Sequence, residues 1–427
     1  MIIYDPLYGS VRLPSRLIQL VSTPEVRRLS QIRLLNTLTP SIPTLGEIRR
    51  YSHTLGVLAL AQDCRLEAYT GPERDSFAAA VLLHDIGTPP FAHLFEYHLK
   101  ERFSAWNHES MIHDVLWGTH APENTAHQFF GKQTLAFRRR LESLRFDLPQ
   151  VADIVCGNHP LSVLLFGSLD LDNIDNVCRM AWAIGIDFDH GLPRRLANDL
   201  SACRAARTLE LSLERRGDVS DWQVLRRQVY SVLLRDGPTV AAQAVLSSAI
   251  EVLLDRGTLT AEDWCLTDES LIDRLLACDE TKETIGREFL GMLPFMTYSL
   301  RLCSESIPPG LRSRGGLKEI IEDSMARAFP NDKCLGYVFF ERGSLEKRLE
   351  FVDTVDGCRW QSGRTSESTI LYGFVRNRPA VSAKRCREAA ELLLGAIPGS
   401  KLADTDSYIS GHPNDAQRTF DFAGQDD

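Results

Sequence analysis

From Pro14 to about Met296 the apolar residues recur at three- and four-residue steps, which places them on one face of successive helices and leaves little strand-like alternation. Leu17, Leu20 and Val21 follow this spacing, then Val26, Leu29 and Ile32, then Leu58, Leu60 and Ala61. Trp222, Leu225, Val229, Val232 and Leu233 form one later stripe. Helix punctuation is frequent: Asp75 is placed to cap the run from Ser76 to His84, Gly87 with Pro89 and Pro90 ends it, and Gly257 follows the run from Val240 to Arg256. The expectation is a multi-helix bundle.

The texture changes after Ser304. Ile307-Pro308-Pro309-Gly310 and Ser313-Arg314-Gly315-Gly316 interrupt the helical pattern, and Cys334 to Phe340, Arg348 to Val355 and Ser368 to Val375 read as strands before a last helix-like run from Ala383 to Ala396. The chain thus reads as mainly α. A helical core spans 1–304, a small α+β region 305–410 and a polar tail 411–427.

Composition narrows the class of function. The 427 residues carry 48 Lys+Arg against 57 Asp+Glu, a net charge of −9, which argues against a dedicated surface for duplex nucleic acid. The ten cysteines contain no CxxC pair, as expected of a reducing compartment. The longest apolar run, Phe77 to Leu83, is far below the ~20 residues needed to span a bilayer, and the start lacks a basic, then apolar, leader. The sequence-level expectation is a cytoplasmic protein without membrane contact.

The densest chemical signal is His84-Asp85-Ile86-Gly87 at the end of the apolar run Phe77 to Leu83. Two strong metal ligands stand where the helix should be deepest, and burying both without a cation is costly. Adjacent helical residues point ~100° apart, so a shared ion needs further ligands from other helices. His53, with Arg50 three residues before it on the same face, is one candidate. The acids of Leu169-Asp170-Leu171-Asp172-Asn173-Ile174-Asp175-Asn176, set in an otherwise apolar stretch, offer another. Each has an ordinary structural reading when taken alone: a partnered helix histidine, or an acidic helix start. In this order and with these flanks, they point to one divalent ion, with Mn, Mg, Fe and Zn not distinguished.

His…His-Asp…Asp in this order resembles the HD superfamily of metal-dependent phosphohydrolases. The flanks Tyr4-Asp5-Pro6-Leu7-Tyr8-Gly9, Leu20 to Leu29, Arg50 to Val57 and His84-Asp85-Ile86-Gly87-Thr88-Pro89-Pro90-Phe91-Ala92-His93 are similar to those of the deoxynucleoside triphosphate triphosphohydrolases. The similarity runs from residue 4 to about 290, with Trp222, Arg226, Arg227 and Tyr230 echoing a helix beyond the metal site. It implies an HD-domain bundle with its metal site within 47–185. His53, His84, Asp85 and Asp172 are then the ligands, Arg50 and Arg179 phosphate contacts, and His93, Glu96 and His108 a catalytic cluster. Glu96 stands where the family has an aspartate. In such a cluster a histidine backed by a carboxylate protonates the leaving nucleoside oxygen.

The departures concern substrate reading. Thr88 replaces a second histidine, Asn173 a basic phosphate ligand, Asn176 a sugar-stacking tyrosine and Met180 an acid that reads the sugar hydroxyl, while Leu34 stands where one branch has a glutamine. The resemblance implies hydrolysis of a deoxynucleoside triphosphate to nucleoside and triphosphate, and a homo-oligomer. Two alternatives remain open: an HD-type phosphatase or phosphodiesterase in which His93 and His108 bind a second metal, and a catalytically silent nucleotide-sensing scaffold. The region after 305 carries no readable motif and is a candidate contact for a protein partner.

Overall fold

Three helices carry the centre of the fold: α1 (Arg50–Ala61), α2 (Gly71–Leu83) and, from far along the chain, α5 (Leu171–Ile184). From His53 to Ala61 α1 is buried on every side, because its residues are small or apolar all round, and α2 and α5 pack against it. The computed structural model describes residues 1–104, 106–117, 134–343, 345–365, 367–403 and 407–410. The tail expected from 411 lies outside the described residues.

α2 begins earlier than its sequence suggests. Thr70, not Asp75, is the cap: its hydroxyl accepts from the Glu73 amide while Glu73 accepts from the Thr70 amide, a reciprocal pair that satisfies two otherwise unbonded donors. Asp75 lies inside the helix and pairs with Arg16. Downstream, α3 (His93–Arg102) and α4 (His108–Trp117) follow the His84-Asp85 turn. α6 (Arg216–Arg235), α7 (Gly237–Asp255) and α8 (Asp268–Ala277) complete the helical body. Among the described residues α7 is long and apolar enough to cross a bilayer by itself, but 67% of that stretch is buried inside the fold, where it serves as a core helix.

The C-terminal sheet starts at Phe295, ten residues before the start expected at 305. β1 (Phe295–Cys303) pairs with β5 (Glu367–Val375), which pairs on its other side with β2 (Cys334–Arg342), all antiparallel, with Tyr408–Ile409 on the outer edge of β1. Alternation along β5 sorts two cores. Ile370, Tyr372 and Phe374 join the main helical core, and Leu371 and Val375 join a second core under α9 (Arg314–Ala328) and α10 (Ala383–Ala396). Gly373 fits because a Cβ there would lie 2.6 Å from the Tyr298 ring and 2.8 Å from Met325 Sδ.

Two further strands, β3 (Leu349–Val352) and β4 (Arg359–Ser362), pair with each other and join the short strands Ser201–Ala202 and Leu209–Glu210 of the helical body. Trp360 Nε1 donates to Leu211 O, and the Ser168 hydroxyl and Glu350 backbone bond reciprocally. The segment joining β2 to β3 is thereby held against α6, beside the first turn of α5. All ten cysteines are free thiols.

Candidate metal centre and its surroundings

His53 on α1, His84 at the end of α2 and Asp172 in the first turn of α5 bring one donor atom each to within 4.8 Å of one another. His53 Nε2 lies 2.6 Å from Asp172 Oδ1, and His84 Nε2 lies 3.5 Å from the same oxygen. Asp85 Oδ2 is 3.5 Å from His84 Nε2 and 4.0 Å from His53 Nε2. The three stretches implied by the sequence do converge. Two imidazole nitrogens and carboxylate oxygens suit a borderline divalent cation. His84 supplies the sharpest test of that fit. Its Nδ1 donates to Val81 O at 2.7 Å, which leaves Nε2 as the lone-pair nitrogen, buried and without a hydrogen-bond partner.

The electrostatics agree. Burial pushes the His53 imidazolium down, but hydrogen bonds and charges from Asp172 and Asp175 outweigh it and raise the group to about 10. Burial pushes Asp172 up, and the two histidines more than reverse it, holding the carboxyl well below its ordinary range. These residues together favour a positive charge between them. With its side chain 33% exposed, Asp172 leaves the centre open on one side.

Each ligand is held from behind. Arg50 donates Nη1 to both oxygens of Asp85, at 2.9 and 2.8 Å, and the Thr88 hydroxyl donates to Asp85 Oδ1 at 2.9 Å. Arg50, expected on a phosphate, therefore spends this donor on a ligand, and Thr88 orients that ligand. Arg28, fully buried, fixes the same turn by donating to the carbonyls of Ile86, Thr88 and Leu266.

Arg179 corrects the sequence reading. It is sealed in the interior, donating to both oxygens of Asp175 and to Asp5 Oδ2, so no phosphate reaches it. Asp175 in turn meets His53 Nδ1 at 2.7 Å. The chain Asp5–Arg179–Asp175–His53 fixes the ring that faces Asp172. It also explains Gly56, where a Cβ would fall 2.1 Å from Asp175 Oδ1 and 2.2 Å from Arg179 Nη2.

His93, Glu96 and His108, the cluster implied by the resemblance, do come together. Glu96 accepts from His93 Nδ1 with one oxygen, at 2.7 Å, and meets His108 Nδ1 with the other, at 2.8 Å, while Lys100 pairs with it from the next turn. Burial pushes Glu96 up, but its bonds to His108 and His93 hold it far below the usual carboxylate range. The His93 side chain is 69% exposed. The turn that presents it is strained: Phe91 and Ala92 both have positive φ, 52° and 49°, each a cost of ~1–3 kcal/mol. Asp268, buried on α8, holds that turn by accepting from the Phe91 amide at 2.8 Å.

Residues 50–163 match the family model described as HD domain. The chain carries an HD domain. That match takes in His53, His84, Asp85 and the His93 cluster, and stops short of Asp172. Over 381 residues the chain is 24% identical to the uncharacterized protein YwfO of Bacillus subtilis, covering 81% of this chain and 82% of that one. It is 32% identical over 104 residues to the human deoxynucleoside triphosphate triphosphohydrolase SAMHD1, a match of 22% of this chain and 16% of the relative. A phosphohydrolase structure from Bacteroides thetaiotaomicron superimposes with a TM-score of 0.62 at 16% identity, over 87% of this chain and 99% of that one, which shows a shared fold.

Outside these HD-domain features the expected substrate pocket fares differently. Leu34 and Met180 are buried in the main apolar core. Asn173 and Asn176 are partly exposed on α5. Asn173 Nδ2 donates to Asp170, the helix cap, and its Oδ1 accepts from Arg226. The sequence reading gave no role to Arg28, Asp268 or Lys347. The i,i+4 spacing of Asp175 and Arg179 was the one local sign of the pair behind His53.

Proposed function

We propose that this chain is a metal-dependent nucleotide phosphohydrolase that hydrolyses deoxynucleoside triphosphates to deoxynucleoside and triphosphate. The observation that carries the reading is the pairing of His93 and His108 through one buried carboxylate, Glu96, on the turn that follows the His84-Asp85 ligands. The sequence resemblance to the triphosphohydrolases runs through His84-Asp85 to His93 on this same turn.

When bound by His53, His84, Asp172 and Asp85, a divalent ion supplies a Lewis acid that activates water and polarises a phosphoryl oxygen. The protein's own groups do the rest. Asp175 and Val81 O fix the two ring orientations, and Arg50 with Thr88 fixes the Asp85 carboxylate. Water adds to phosphorus as the bond to the nucleoside oxygen breaks. That oxygen takes a proton from His93, whose Nδ1 is held by Glu96, and the proton lost by water restores the histidine.

Purified full-length protein incubated with Mn or Mg and each of the eight common dNTPs and NTPs tests the proposal. The expected result is release of nucleoside and tripolyphosphate from at least one dNTP. Release of monophosphate or free phosphate alone would move the assignment to another HD-type hydrolase. Binding without any turnover would leave a nucleotide sensor.

A further inference from the structure

A triphosphate brings several negative charges, and two of the arginines expected to meet them are committed elsewhere: Arg50 to Asp85, Arg179 to Asp175 and Asp5. Arg226 on α6 is different. It is 6% exposed, yet its partners are neutral: Nη1 donates to Asn173 Oδ1 at 3.3 Å, Nη2 to Gly343 O at 3.0 Å, and Nε is buried without an acceptor. Its guanidinium lies over Tyr230, 4.6 Å from the ring centre, and near Trp222 at 5.6 Å. Among the described residues no carboxylate pairs with it. A buried guanidinium without a counter-anion is expensive to keep, so its persistence asks for an anion from outside.

Lys347 stands beside it. The chain is pinned to α6 at both Gly343, by Arg226, and Lys347, whose carbonyl accepts from Gln223 Nε2 at 2.9 Å. Among the described residues the Lys347 ammonium has no hydrogen bond or ion pair, although Asp170, Asp172 and Arg226 all act on it electrostatically. Burial, with Arg226, keeps its charged form below the ordinary lysine range against the pull of the two acids. Arg226 thus lies at the first turn of α5, and Lys347, held on the same stretch of α6 through its carbonyl, is near enough to feel the charges of Asp170, Asp172 and Arg226. Arg226 touches Asn173, the residue next to the ligand Asp172.

We infer that Arg226 and Lys347, brought from α6 and the C-terminal region, form a seat beside Asp172 for an oxyanion of the substrate's phosphate chain. The inference rests on the phosphohydrolase reading and gives it residues that lie outside the HD domain match. It also gives the C-terminal region a part in substrate binding, because the segment between β2 and β3 delivers the lysine. Arg226 supplies planar donors already fixed between two aromatic rings, and Lys347 a mobile point charge, a combination suited to a chain of linked phosphates.

The test is calorimetric titration of the full-length protein with inorganic tripolyphosphate, with and without Mg, at fixed ionic strength. Arg226→Gln and Lys347→Gln should each weaken binding tenfold or more, and Arg226→Lys should recover part of the loss. Metal content by mass spectrometry and the circular dichroism spectrum should stay as in the parent. Unchanged tripolyphosphate affinity in both Gln variants, or no binding by the parent, overturns the seat. The readout needs no turnover. A protein that binds tripolyphosphate through these residues but hydrolyses no nucleotide keeps the seat and loses the activity. One that hydrolyses nucleotides with an unaltered KM in both Gln variants loses the seat alone.

Discussion

Asp175 stands behind His53, its Oδ2 2.7 Å from Nδ1, and so turns Nε2 toward Asp172. The contact does two jobs, since the same carboxylate neutralises Arg179 in the interior. Asp175→Asn keeps the shape and removes the charge. Metal affinity should fall 10–100-fold, the range seen when the group behind a ligating histidine is lost, and the unfolding midpoint should drop because Arg179 keeps only Asp5. Titration with Mn and a thermal melt check both; unchanged metal affinity would show that the ring needs no such support.

Gly56 is predicted to tolerate no side chain. The obstacle is not a flexible tip, because Asp175 and Arg179 are locked to each other and to His53 and Asp5. Gly56→Ala must part a buried ion pair, which costs ~3–5 kcal/mol. Gly71 heads a helix with nothing within 4 Å of its added Cβ, so Gly71→Ala should cost far less. Comparing chemical denaturation of the two variants isolates the contact from any general effect of alanine.

Glu96→Gln and His93→Ala should each lower kcat by ~10²–10⁴ on whichever nucleotide is hydrolysed, leaving metal content unchanged. The glutamine keeps one acceptor oxygen but cannot accept from both histidines, so the two variants should resemble each other, and the double variant should be little worse than either. Additive losses would mean that His93 acts without its carboxylate.

What could be read in the sequence was whatever sits close along the chain. His84 with Asp85 and His93 with Glu96 are local, so chain spacing brings each pair together, while His108 sits on the next helix and was found through its match to the family's cluster. His53 and Asp172 were found through their flanks and the order of the motif. Arg179 was misassigned because its second partner, Asp5, lies on a strand far upstream, and nothing nearby signals that the arginine will be sealed in. Leu34 and Met180 were read as pocket positions by correspondence, whereas packing puts them in the core. Arg226 and Lys347 meet the site only after α6 and the C-terminal sheet fold back onto α5. No periodicity encodes such an approach. The start of the sheet was missed for another reason: Thr297, Ser299 and Arg301 do alternate with Tyr298, Leu300 and Leu302, but this short strand signal directly follows the long run of helical spacing and was absorbed into it.

His98 makes stability depend on acid. It lies buried on α3, with Nε2 2.8 Å from the Ser247 hydroxyl, near the Tyr97 ring edge. Burial, then the charges of Arg314 and Lys318 on α9, holds its pKa down at about 3 against an ordinary 6.5, with Glu251 already paired to Lys318. The native histidine thus stays neutral where the unfolded one takes a proton. Between pH 6.5 and 3 the unfolded state binds more protons, so stability falls as pH drops through that window, by about 2 kcal/mol at pH 5 from this group alone. His98→Gln, which still reaches Ser247 but does not titrate, should flatten that part of the curve. Urea denaturation of both proteins at pH 7 and pH 5 measures the difference, and equal slopes would mean that the acid sensitivity arises elsewhere.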